Sequence, residues 1–172
     1  MRCSKRNLKG VFCDILLCMR VTVAHVGGRK GAKDVYDMQV EEYLERCSGF
    51  MHCGVEAFRS EKALLEWIGR QRGRTETVVT LLDGRGRQMT SESLAHWLGK
   101  LRDEGAQHVV FAIGPADGWS EEARAEGQRR GGLLSLGPMT LAHSLARLVM
   151  AEQLYRACTI LTGHPYHRSS GQ

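Results

Sequence analysis

No pair among the six cysteines, at positions 3, 13, 18, 47, 53 and 158, has two residues between its members. That removes zinc knuckles and redox dithiols, and thiols so scattered make no disulfide framework. Reduced thiols in a cytoplasmic protein are expected. No stretch reaches the eighteen or so apolar residues of a membrane span. Seven histidines are present, but only His164 and His167 lie close together. No cysteine or carboxylate completes a ligand set beside them, so no metal is expected. No charge of one sign dominates either: 24 Lys and Arg face 19 Asp and Glu, a net charge of +5. Such a balance admits a polyanionic partner without requiring one. The basic segment Gly27-Gly-Arg-Lys-Gly-Ala-Lys33 lacks the spacing and hydroxyl of a nucleotide-triphosphate loop. A solvated loop is its default reading. Contact of Arg29, Lys30 and Lys33 with RNA phosphates is the second.

What is present describes one ordinary globular domain of 172 residues, with 42% hydrophobic and 25% charged residues. Lys5, Arg6 and Lys9 ahead of residues 11–18 imitate a secretion signal. Asp14 interrupts that apolar run, and no small-residue cleavage site follows. Residues 1–18 are therefore expected to be an unstructured extension, and 19–172 the domain. From Met19 strand and helix signals alternate. Strands are expected at 19–26, 51–58, 77–82, 108–113 and 133–136. Helices are expected at 34–47, with Val35, Met38, Tyr43 and Leu44 on its apolar face, and at 60–71, 90–104, 120–130 and about 142–161. Ser120 should cap its helix, with Glu121 and Glu122 at the positive end of the dipole. Five strands alternating with helices predict an α/β fold with a mostly parallel sheet and flanking helices.

The last of these helices carries apolar residues around most of its circumference, from Leu145 and Leu148 to Ile160 and Leu161. A surface helix keeps a polar half. Burial on two sides is expected, and in so small a chain a second copy is the reading preferred over this chain's own neighbouring helices. On the same helix Glu152 and Arg156 are spaced as an i,i+4 pair, and Arg147 is a candidate to face RNA.

Beyond that helix the chain stops at Gly163 and closes with His164-Pro-Tyr-His-Arg168. Chain ends are usually bland, so this polar cluster reads as a docked, functional tail. Together with Ala151-Glu-Gln-Leu-Tyr-Arg156, residues 139–143 (MTLAH), 111–114 (FAIG) and 82–87 (LDGRGR) followed by Thr90-Ser91-Glu92, the tail gives the chain a close resemblance to the RlmH-type SPOUT methyltransferases. The resemblance runs from about Met19 to Arg168.

That resemblance implies a C-terminal deep trefoil knot, which chain-path rules alone would never suggest. It also implies a cytoplasmic homodimer using S-adenosyl-L-methionine to methylate N3 of a pseudouridine in large-subunit ribosomal RNA. Leu82, Gly114, Leu136, Gly137, Pro138, Met139, Thr140 and Leu141 correspond to its cofactor contacts. Tyr166, His167 and Arg168 are the implied catalytic tail, acting across the dimer. Removing the N3 proton and aligning the sulfonium methyl would then rest mainly on orientation, with a base such as His167 assisting. Arg168 would hold phosphate or an imidate. The chain departs from the family at Pro115, where a second glycine is usual, and at Ala142, where proline is usual. It also lacks a long charged insertion, since Phe58-Arg-Ser-Glu61 joins the second strand to its helix directly. Two alternatives stay open: a SPOUT enzyme for another RNA such as tRNA, and a non-catalytic RNA- or ribosome-binding knot protein.

Overall fold

The computed structural model describes residues 19–27, 35–71, 73 and 75–166. The expectations for residues 1–18, for Arg29, Lys30 and Lys33, and for His167 and Arg168 lie outside the described residues. The elements run β1 (Arg20–Val26), α1 (Val35–Cys47), β2 (His52–Phe58), α2 (Glu61–Arg70), β3 (Val78–Gln88), α3 (Ser91–Asp103), β4 (His108–Ile113), α4 (Glu121–Arg130), β5 (Leu133–Ser135) and α5 (His143–Thr162). The five strands form one sheet, ordered β2-β1-β4-β3-β5, and every pairing is parallel.

Side-chain alternation along the central strands divides the core into two layers. Val21 and Val23 of β1 join Val109, Phe111 and Ile113 of β4 under α1, α3 and α5. Ala24, Val26, Val110 and Ala112 face the other way, under Leu64 and Ile68 of α2 and Ala123 of α4. With both faces covered, β4 is buried throughout, as its unbroken apolar run predicts. Ser60, Thr90 and Ser120 cap α2, α3 and α4, each accepting a bond from the backbone N–H three residues on. Glu61 reaches across to accept from both the backbone N–H and the hydroxyl of Ser120. This fixes where α4 begins.

Two features differ from the sequence reading. The expected end of β3 at Leu82 is six residues short. The strand continues through polar residues because β5 pairs with it twice: Leu81 and Leu82 meet Leu133 and Leu134, and Arg87 and Gln88 meet Leu134 and Ser135. Residues 83–86 bulge around β5 between those pairings. A Cβ at Gly86 would lie 2.5 Å from the backbone nitrogen of Leu134, so only glycine permits that approach. In α1 the buried stripe is Val40, Leu44 and Cys47, whereas Val35 and Met38 are exposed.

The long α5 lies between α1 and α3 on one face of the sheet. Met150, Ala151, Leu154, Ala157 and Cys158 are its buried stripe. Leu145, Leu148 and Val149 stay half-buried, lining a groove of about 480 Å³ with Tyr43 and Arg46 of α1. The chain's own helices thus cover one side of α5, and the second side predicted from its apolar circumference is this groove. Among the described residues Cys47, Cys53 and Cys158 are free thiols, and no helix is long and apolar enough to cross a membrane.

Candidate active site

Where β4 and β5 end and β3 bulges after Leu82, the chain forms an open cavity of about 540 Å³. The carboxyl ends of parallel strands are where α/β sheets bind ligands, and the volume lies within the range of small-molecule sites. Its walls include every residue expected at the cofactor: Leu82, Gly114, Leu136, Gly137, Pro138, Met139, Thr140 and Leu141. The walls are mainly backbone and small or aliphatic side chains, so recognition would rest on amides and carbonyls edging an apolar slot. Ser135 shapes the last loop. Its hydroxyl donates to the Gly137 carbonyl at 3.0 Å and accepts from the Gly137 N–H at 3.2 Å. Pro115, the departure noted in the sequence, accepts from the Gly118 N–H at 3.0 Å and so closes a tight turn.

The sequence reading missed the residue that holds the cavity's floor. Trp119 is 5% exposed and donates its ring N–H to the Leu82 carbonyl at 2.9 Å. It ties the middle of β3, just before its bulge, to the β4 loop. A Cβ on Gly114 would fall 2.8 Å from the Trp119 ring, which explains glycine at the start of this loop. The one mark of Trp119 in the sequence is its place as an aromatic six residues after the strand, which does not separate it from a core residue. Asp83 and Arg124, also on the wall, form a half-hidden ion pair at 2.7 Å. Burial pushes the Asp83 carboxyl up, but the Arg85 N–H and then Arg124 outweigh it and hold the group below the usual carboxylate range.

At the N-terminal end of α5, His143 lines the cavity and meets His25 of β1 edge-on, ring centroids 5.3 Å apart. Arg147 follows one turn later, buried and paired with Asp37 of α1. Arg147, expected as a candidate to face RNA, is drawn inward by a carboxylate 110 residues away in sequence.

The tail stands at the other end of α5. Gly163 takes the left-handed conformation (φ 67°), and the Gly163 and His164 N–H groups bond the last helical carbonyls. This turns the chain back. His164 packs edge-on against Phe50, and Tyr166 against Tyr155 at 4.7 Å between centroids. Arg156 sits 5.1 Å over the Tyr166 ring, and the phenol donates to Glu152 at 3.3 Å. The Glu152–Arg156 pair expected from spacing is present. Burial first, then Tyr43 and Glu152, push the Tyr166 hydroxyl up to about 12. It is a donor at neutral pH and no base. Of the implied catalytic residues only Tyr166 is described. It docks beside Glu152 and Tyr155 of α5, about 14–18 Å along the axis from His143 on its own cavity wall at 1.5 Å per residue.

Among the described residues no three His, Cys, Asp or Glu side chains gather as a metal site. The family described as "Predicted SPOUT methyltransferase" matches residues 19–167. A protein of Koribacter versatilis named ribosomal RNA large subunit methyltransferase H is 46% identical over 149 residues, covering 87% of this chain and 98% of its own. A protein of the same name from Trichlorobacter lovleyi is 39% identical, over 74% and 87% respectively. A solved Legionella pneumophila methyltransferase with bound SAM covers 83% of the chain and 67% of its own at 15% identity and a TM-score of 0.40, too distant to inform the site. The span of the family match and the identity over nearly the whole of the Koribacter protein establish that the chain belongs to the SPOUT methyltransferase family.

Proposed function

We propose that the protein is a homodimeric methyltransferase. It transfers the methyl group of S-adenosylmethionine to N3 of a pseudouridine in the ribosomal RNA of the large subunit, acting on the assembled ribosome. Family membership and the names of its relatives support methyl transfer to that RNA. The observation that carries the dimeric site is the distance along α5. The cavity lies at the start of α5 around His143, and the aromatic tail docks beside Glu152 and Tyr155, about 14–18 Å further along the axis. Two copies joined antiparallel along the groove beside Leu145, Leu148 and Val149 bring each tail to the other's cavity. The bulge of residues 83–86 around β5, paired on both flanks, supports the deep trefoil knot of the family.

The cavity's chemistry fits the cofactor. Leu82, Leu136 and Leu141 suit an adenine face, the loops of residues 114–118 and 137–140 offer backbone groups to its edge, and Asp83 complements a cationic ligand. When bound, the cofactor supplies an activated methyl group on a sulfonium. Residues of this chain do the rest. The loops and Trp119 fix the ligand's orientation, which is the largest contribution to such a transfer. Tyr166 from the partner's tail donates a hydrogen bond, His167 takes the N3 proton, and Arg168 holds phosphate or the developing imidate. Arg29, Lys30 and Lys33 contact RNA phosphates.

Mass spectrometry of ribosomal RNA from a strain lacking the gene tests the reaction. Loss of a single methylpseudouridine is expected, and a change confined to tRNA would refute it. Mixing a tail-truncated subunit with one disabled at Gly114 tests the shared site. A mixed dimer regains one working site if tails act in trans. Inactivity of every demonstrated heterodimer would refute it.

A further inference from the structure

Among the described residues, three buried side-chain nitrogens lack a hydrogen-bond partner: His25 Nδ1, His143 Nε2 and Arg147 Nε. Buried polar atoms are almost always satisfied. Three exceptions in one cluster need a common cause. His25 is 4% exposed and Arg147 7%, the two imidazoles touch edge-on, and the Arg147 charge acts on both rings. His143 forms part of the cavity wall. His25 and Arg147 line an adjoining pocket of about 130 Å³ with Asp37, Val40 and Glu41, large enough for a single pyrimidine ring.

The chemistry of the cluster defines what would complete it. Burial, and then Arg147, push His25 down to about 4 and His143 below its ordinary value, so both rings are neutral at physiological pH. Each ring also bonds backbone, His25 at Gly27 and His143 at Val26. A neutral imidazole that donates from one nitrogen presents a bare lone pair at the other. Arg147 Nε, by contrast, carries an N–H, while its terminal nitrogen is committed to Asp37. The cluster therefore offers two acceptors and one donor, with its charge internally compensated. A phosphate, which needs donors and positive charge, does not fit. A neutral edge with two N–H groups flanking a carbonyl does.

Pseudouridine has that edge, and uridine does not. Its carbon-linked ring leaves N1–H, C2=O and N3–H in a row, whereas in uridine N1 is consumed by the glycosidic bond. Resting on the function proposed above, we propose that His25, His143 and Arg147 are specificity-determining residues that read this edge of the target base. His143, on the cavity wall, accepts from N3–H as the base docks, before His167 takes that proton and N3 is freed for the methyl group. Arg147 Nε–H donates to the C2 carbonyl, and His25 Nδ1 accepts from N1–H. Admission of the base requires the two rings to part, and neither orphan nitrogen has a bond to break in doing so.

The test compares methylation of assembled ribosomes carrying pseudouridine or uridine at the target position, with the His25→Phe and Arg147→Lys variants beside the parent. Phenylalanine keeps the ring packing without the lone pair; lysine keeps a charge for Asp37 without the Nε–H. The parent is expected to favour pseudouridine by at least about a hundredfold in kcat/KM, since sites built around a hydrogen bond reject analogues lacking it. Each variant should lose about tenfold on pseudouridine and nothing on uridine, compressing the ratio. Equal losses on both substrates would show a merely structural role and overturn the proposal, as would a parent indifferent to the base. Should His25→Phe fail to fold, as read by melting, the Arg147→Lys ratio decides alone. A parent active on neither substrate would instead overturn the functional reading, and this proposal with it.

Discussion

The two ends of α5 are made of different materials. Around its first turn lie loops of glycine, proline and aliphatic residues, two neutral imidazoles and a guanidinium whose charge is cancelled by Asp37. Around its second half lie four aromatic rings, His164, and the guanidinium groups of Arg46 and Arg156 laid over tyrosines. The first end encloses a volume and presents backbone, which suits a small ligand held by shape. The second borders the groove beside Tyr43 and Arg46 and presents rings and positive charge, which suits stacking and an anionic partner. Neither end combines the cavity with the polar tail, and the shared site proposed above would join one of each from two chains.

Truncation after Gly163 sharpens this division most. Methyl transfer should fall to background while calorimetric binding of S-adenosylmethionine at millimolar concentration persists, because no wall of the cavity is removed. Loss of cofactor binding in that variant would show that the two ends are not independent. Next in size is Gly114→Val. Its side chain must displace Trp119 and with it the tether to the Leu82 carbonyl. Overpacking of this kind costs about 1–3 kcal/mol, and cofactor affinity should drop about tenfold or more while dimerisation, read by light scattering, is unchanged.

A third test asks whether the buried rings are neutral. His25 and His108 are both held near pKa 4, in each case by burial first, then by Arg147 for His25 and by Arg20 for His108. Below the ordinary histidine value of about 6.5 the unfolded chain takes up protons that the folded chain refuses. Stability is therefore full above that value and is lost as pH falls toward 4. Melting temperature should decline across that window, and His108→Gln should flatten part of the decline. A flat profile in the parent would mean charged rings and would contradict the acceptor chemistry at the cavity end. The smallest expected effect is deletion of residues 1–18. The family match starts at residue 19 and β1 at Arg20, so melting temperature and activity should not change; a large fall in either would show that the extension supports the domain.

Features carried by local chemistry were readable in the sequence. The buried run of β4, the Ser120 cap and the Gly163 stop stand where residue types alone put them. Features created by distant partners were not. The second half of β3 is polar and exists as strand because β5 lies against it. Arg147 is aimed inward by Asp37, on the far side of the sequence. The cavity loops were legible only through their resemblance to a family, since glycine-proline turns are common. Trp119 and His25 carry no pattern that separates them from core residues, and their roles emerge from what they touch.

The grip of β3 on β5 has a consequence for how the protein comes into being. The segment that closes the cavity, residues 134–146, follows the other walls in the chain, and its strand is seated between two stretches of β3 made some fifty residues earlier. Pairings so remote in sequence form slowly, because chain entropy is lost before any contact rewards it. During synthesis the sheet from β1 to β4 is available first, yet it has no enclosed cavity until the last strand and helix arrive. A nascent chain thus lacks the cavity for most of its synthesis. The ligand site comes into being last, once the final strand is seated between the two stretches of β3.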